Sequence, residues 1–217
     1  MKETNVKNNE VEKDNKQITA KSYNKLTKVE QNCKITLTNL IYIFMICAVL
    51  GWFVEVGYVY LINGKIVNRG MTYGPYCSIY GFGAVILYLL FHNIPRTKKF
   101  IPYTFFVSGI TMGAFELVCG LGFKHILGIE MWSYDGQFLE IMNYTTVPIV
   151  IGWGILGTMF VFLIQPLLLK MISLIPQNII KSVAIILAII YFLDFSFSTF
   201  NIHLNPEVLY KLVDPNL

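Results

Sequence analysis

Charge is what this sequence has least of. Of its 217 residues only 14% are charged while 55% are hydrophobic, a balance that excludes a soluble domain of this length, which needs charge to cover its surface. No charged side chain stands between Lys34 and Glu55, from Gly70 to Pro95, from Ile101 to Phe115 or from Ile141 to Leu169, and Asp194 alone interrupts Ser182 to Pro206. Cysteine is scarce too. Cys33, Cys47, Cys77 and Cys119 form no C-x-x-C pair, which argues against a thiol redox enzyme. A G-x-x-x-x-G-K-[ST] phosphate loop is missing, so any ATP hydrolysis would have to come from a partner. An early apolar segment with a small-residue cleavage site is also missing, and no signal peptide is expected.

What remains is a set of apolar runs. Most are close to the ~20 residues that a helix needs to cross ~30 Å of hydrocarbon, and the third gains its length by continuing past Glu116. The pattern predicts an all-α, polytopic transmembrane helix bundle within about 36–205. It has about five spans, near 37–62, 77–94, 102–123, 147–170 and 179–203. Before it lies a tail over about 1–35 with eight Lys against five acids, a composition that reads as disordered. The tail's charge fits weak attraction to anionic lipid. Without Arg or aromatic patterning it does not fit nucleic acid. Placing the tail inside leaves thirteen Lys and Arg on the cytoplasmic side against Lys65, Arg69, Lys124 and Lys211 outside. That asymmetry predicts N-terminus in and C-terminus out, with about 206–217 as a short extracytoplasmic tail. The expected location is the cell membrane, crossed several times. Both inner connections are short, whereas the outer segments 63–76 and 124–146 are rich in turn formers and aromatics, which places function on the outer side. Cys77 and Cys119 fall near outer helix ends in this topology, where a disulfide between them is one option.

Three spans carry an acid. Glu55, Glu116 and Asp194 lie roughly 27, 21 and 23 Å from the cytoplasmic ends of their helices, hence at one level in the outer half. A charge there costs several kcal/mol unless it faces the bundle and finds partners. Helical spacing puts Gly109, Gly113, Glu116 and Gly120 on one stripe and Ala48, Gly51 and Glu55 on another, and small residues let helices approach. Gly154 and Thr158 form a further small-residue seam. Around Asp194 the stripe is Tyr191, Ser198 and Asn201, whose hydroxyl and amide can hydrogen-bond the acid. The bland reading is that each acid glues helices or stays protonated. The sharper one is a shared polar site for a proton, an ion or a polar part of a substrate. Arg69, next to Asn68, is the nearest counter-charge if its loop dips into the bundle, and otherwise an ordinary interfacial arginine. Trp132, Tyr134, Tyr73 and Tyr76 fit an aromatic belt. His125 and His203 make no helical metal spacing, no nucleophile motif is present, and no catalytic residue or cofactor is assigned.

Gly51-Trp52-Phe53-Val54-Glu55, the segment R-G-x-x-x-G-P-x-x-x-I-Y-G-x-G from Arg69 to Gly83, Phe115-Glu116, Trp132-Ser133-Tyr134 and Asp194-Phe195-Ser196-Phe197-Ser198-Thr199 together resemble a bacterial membrane family. That family is described as putative ABC-transporter type IV, or putative ABC transporter permease, and the resemblance covers about residues 40–200. It implies a permease-like component of the bilayer, with an ATPase subunit or another membrane protein as partner. The inner connections look too short for the coupling helices of an ABC permease. Three functions therefore stand open: a transporter or permease subunit with Glu55, Glu116 and Asp194 as its site; a membrane-embedded enzyme on a lipid-linked substrate, with Arg69 holding a phosphate; and an accessory or sensor protein without transport.

Overall fold

A computed structural model describes residues 35–128 and 130–205, so the sequence expectations for the tails at 1–34 and 206–217, Cys33 included, lie outside the described residues. The described chain is helical. Helix α1 spans Leu37–Asn63, α2 Ser78–Phe91, α3 Ile101–Leu127 after a 3₁₀ turn at Lys98–Phe100, α4 Val147–Met159, α5 Gln165–Ser173 and α6 Gln177–Leu204. Two short strands, β1 Glu140–Ile141 and β2 Thr145–Thr146, pair antiparallel between α3 and α4. A π-helical turn, Phe160–Ile164, joins α4 to α5. Leu37–Ile62, Lys98–Ile126, Val147–Ser173 and Gln177–Leu204 are each long and apolar enough to cross a membrane. The second run behaves differently. Only the 14 residues Ser78–Phe91 are helical there, about 21 Å at 1.5 Å per residue, while the sequence predicts a full span.

Helix ends follow local chemistry. Thr36 caps α1 by accepting from the Asn39 N–H, and Thr146 caps α4 by accepting from Ile149. α1 stops at Gly64, whose φ of 67° suits a residue without Cβ. Large apolar side chains cover the outside as well as the core: Phe53, Leu61, Phe106, Ile110, Phe192 and Phe197 are exposed, while Thr104, Ser108, Gln165 and Ser198 are buried among the helices. That arrangement is stable when the surroundings are hydrocarbon and the helices meet through small and polar groups.

The connection between α1 and α2 does not stay at the helix ends. Its last residue, Cys77, donates its N–H to the Ala48 carbonyl at 2.9 Å, near the middle of α1. Segment 64–77 is therefore re-entrant along α1, and α2 begins level with the middle of that helix. Cys77 is the N-cap of α2, and Cys77 and Cys119 are both free thiols. Side chains satisfy much of the re-entrant backbone. Gly74 N–H donates to Asp194 Oδ2 at 2.8 Å, Tyr73 N–H to Ser198 Oγ at 3.2 Å, and Asn68 Nδ2 to the Thr72 carbonyl at 3.3 Å. The fully buried Thr72 hydroxyl sits against the carbonyls of Gly74 and Tyr76. Gly70, at φ 110°, is required because a Cβ would lie 2.6 Å from the Tyr76 carbonyl oxygen.

On the opposite side the π turn has a specific cause. Gln165 N–H reaches back five residues to the Phe160 carbonyl, and the next residue, Pro166, has no N–H to give Val161. Arg96, 8% exposed, fills that place by donating Nε–H to the Val161 carbonyl at 2.5 Å. Arg96→Met is expected to cost about 2 kcal/mol by leaving a buried carbonyl without this donor. Pro166→Ala restores a backbone donor, so adding it to Arg96→Met recovers part of the loss. Thermal unfolding in detergent checks both, and a double variant no better than Arg96→Met would refute this account of the turn.

Candidate functional site

On the side of the two long loops, three acid clusters form, one per predicted acid. Glu55 accepts from the Tyr80 hydroxyl at 2.7 Å and lies 3.7 Å from Arg69 Nε, both side chains about 30% exposed. Gly51 makes this geometry reachable, since a Cβ there would overlap the Tyr80 ring. Trp52, next on α1, donates its indole N–H to Asn68 Oδ1 at 2.5 Å. The re-entrant segment thereby carries Arg69 inward to the carboxylate.

Glu116, 5% exposed, is enclosed by donors. Thr145 Oγ1 at 2.8 Å and Trp153 Nε1 at 3.1 Å bond Oε2, and the Tyr134 hydroxyl at 3.1 Å bonds Oε1. Three elements thus converge on one carboxylate on α3: the loop, strand β2 and α4. The hairpin is held from behind by Tyr144, which is buried where Gly120 leaves room for its ring, and by the Trp132 indole donating to the Tyr144 carbonyl at 3.0 Å. Met142 and Asn143 turn the hairpin with φ of 51° and 65°, the signs that a type I′ turn demands. At its flank Lys124 and Glu130 pair at 2.7 Å, and this hydrogen bond, with that from the Tyr144 hydroxyl, holds the exposed Glu130 below the ordinary carboxylate range.

Tyr134 links the first two clusters. Burial first, then the Glu116 carboxylate it bonds, and then the Glu55 charge push its hydroxyl above the ordinary phenol value, with Arg69 working the other way. It therefore stays protonated and a donor to Glu116. Glu55, Arg69 and Glu116 form one electrostatic neighbourhood around it. Asp194 is placed otherwise. Its carboxylate takes the Gly74 N–H and, at 3.3 Å, the Ser198 hydroxyl, so it pins the re-entrant segment from α6. Of the other residues on its stripe, Tyr191 shares a hydrogen bond with Ser78 at 2.8 Å, and Asn201 reaches the Tyr73 hydroxyl at 3.4 Å. Among the described residues no group of three His, Cys, Asp or Glu side chains could hold a metal ion.

Residues 42–199 match the model of the family described as putative ABC-transporter type IV. The chain belongs to that family. Neither the curated proteins nor the solved structures contain a match. For a type IV family member, a membrane protein of the transport class, the resemblance seen in the sequence and the four long apolar helices agree. The matched region contains all three acid clusters.

The sequence pointed to the acids but not to Tyr80, Thr145 and Trp153, which hold them. Tyr80 stands in the Arg69–Gly83 segment, so its motif was visible while its role was not. Thr145-Thr146 ahead of Pro148 carried a helix-start signal. Trp153 lies in an unbroken apolar run, where nothing distinguishes a donor indole from a core ring.

Proposed function

We propose that this protein is a permease-type transport component of the plasma membrane, crossing it five times with its N-terminus inside and its C-terminus outside. The second crossing is made by the re-entrant segment followed by α2. The excess of Lys and Arg on the tail and the two tight connections supports the orientation. Glu55, Arg69 and Glu116 are the polar site, taking an ion, a proton or a polar part of a substrate, and Asp194 holds the re-entrant segment beside them. An ATPase subunit or another membrane protein is the partner that would supply the drive.

The observation that carries this reading is irregular backbone at the depth of Ala48, with Arg69 brought to Glu55 on it. A bilayer tolerates non-helical backbone at depth only where protein or water surrounds it, and transporters use such broken segments at their binding sites. Glu55 is the accessible acid of the pair and Glu116 the enclosed one. The Glu55 charge therefore meets the substrate, while Glu116 orders the hairpin that closes over it.

Proteoliposomes carrying imposed H⁺, Na⁺ or K⁺ gradients, read with entrapped ion-sensitive dyes, test this. Wild-type protein should dissipate at least one gradient, and Glu55→Gln should slow it roughly tenfold, as for loss of one charge-assisted contact. A wild-type rate that survives Glu55→Gln, Glu116→Gln and Asp194→Asn together, in protein that still melts cooperatively, would end the assignment.

A further inference from the structure

An apolar slot adjoins the polar site. A cavity of about 120 Å³ lies between α1, α2, α3 and α4, and along α4 and the π turn its lining runs from Trp153 to Ile164, roughly 16 Å at 1.5 Å per residue. Cys47 and Ala84 form part of its buried wall, and Leu50, Val54 and Leu156, all 40% exposed or more, stand at its mouth toward the bilayer. Its end on the side of the long loops is capped by the Tyr80 and Trp153 rings, whose centroids are 5.2 Å apart. Each ring turns its apolar body to the slot and its polar tip to a carboxylate, Tyr80 to Glu55 and Trp153 to Glu116. Arg69 stands beyond Tyr80 at Glu55, in the same direction.

We propose that this slot holds one acyl chain of an anionic phospholipid from the leaflet on the side of the long loops, with the lipid phosphate at Arg69 and a headgroup hydroxyl at Glu55. The inference rests on the polar site proposed above and names the class of molecule that it takes. Shape and charge complementarity support this occupant. A slot without polar lining, open sideways to hydrocarbon, is filled by the chains around it rather than by water. At its capped end the cation brought to Glu55 is a guanidinium, whose planar fork matches phosphate. A carboxylate beside it adds an acceptor that a hydroxyl-bearing headgroup satisfies and a choline headgroup does not.

The test is photolabelling of the full chain in phosphatidylcholine liposomes doped with a diazirine-chain phosphatidylglycerol or, separately, a diazirine-chain phosphatidylcholine, with the adducts mapped by peptide mass spectrometry. Ordinary bilayer contact labels exposed faces such as Phe106 and Phe192, whereas adducts at Cys47, 7% exposed, require a chain in the slot. The phosphatidylglycerol probe should label Cys47 roughly tenfold more than the phosphatidylcholine probe does, and Arg69→Gln should remove that difference. Ala84→Leu, which fills the slot, and Leu156→Trp, which blocks its mouth on a lipid-facing surface and spares the core, should both abolish Cys47 adducts and leave those at Phe106. Equal Cys47 labelling by the two probes would overturn headgroup recognition, and Cys47 labelling that survives Leu156→Trp would overturn the slot. The readout is occupancy without flux. Labelling in a protein that moves no ion would defeat the ion-conducting reading alone, and ion flux without labelling would defeat this inference alone.

Discussion

Glu116→Ala is expected to lower the melting temperature of the purified protein by roughly 10 °C, from a loss of about 3–5 kcal/mol in a chain of this size. The carboxylate accepts from three side chains at once, Thr145 and Trp153 on Oε2 and Tyr134 on Oε1. Alanine leaves all three donors facing a void. An orphaned buried donor costs about 1–3 kcal/mol, and the three losses add incompletely because one relaxation can serve more than one of them. Working the other way, the variant no longer buries a charge near Glu55. The donors lost belong to three elements, so the damage is local in a recognisable way: the segment 130–146 loosens before the helices do. Hydrogen exchange should show faster exchange over that segment than over α1. Glu116→Gln, similar in shape, keeps one acceptor oxygen and turns an N–H toward other donors, and should fall between wild type and alanine. A Glu116→Ala protein melting within about 2 °C of wild type would mean that the carboxylate does not organise the hairpin.

That carboxylate also marks where sequence reading stops. The helices were legible because their physics is one-dimensional: uncharged runs of spanning length, Gly or Pro at their ends, and stripes of small residues. The Gly109, Gly113, Glu116, Gly120 stripe describes the face that α3 turns to α4 and the hairpin, since Cβ atoms at those glycines would meet Val150 and Tyr144. The second span, expected near 77–94, holds a helix of only 14 residues, Ser78–Phe91. The run from Gly70 to Pro95 is uncharged throughout, and charge does not reveal that its first part, with Gly70, Gly74 and Pro75, is irregular backbone folded back to the middle of α1. The site was legible as a set of acids but not as a set of partners. Arg69 was the expected counter-charge and lies beside Glu55. Asp194 read as a third member at the same depth, yet it bonds the backbone of Gly74, a contact 120 residues away in sequence that no periodicity encodes. The hairpin at 140–146 gave no strand signal, because two-residue strands are too short to alternate.

The seam between α3 and α4 is where single atoms should matter most. A Cβ on Gly109 would lie 2.8 Å from the Val150 carbonyl oxygen, and one on Gly154 would lie 2.9 Å from the Phe105 carbonyl oxygen. Both obstacles are backbone, which cannot swing aside as a flexible side chain does, so the helices themselves must separate. In hydrocarbon their association depends on close packing rather than on a hydrophobic drive. Separation therefore weakens the whole seam, including the place where Gly157 meets Ser108, and draws Trp153 away from Glu116. Gly109→Ala and Gly154→Ala should each cost about 2–3 kcal/mol, in the range of overpacked cores. Because one separation relieves both contacts, the double variant should lose clearly less than the sum of the two. Gly122→Ala supplies the control on α3, where nothing lies within 4 Å of the added carbon; there the change should be neutral or stabilising, since alanine favours a helix over glycine by up to ~1 kcal/mol. Thermal melts of these four variants and the wild type in one detergent read the series. Strict additivity of the two seam variants would mean that each glycine is accommodated locally, and α3 and α4 would then not be locked together through their backbones.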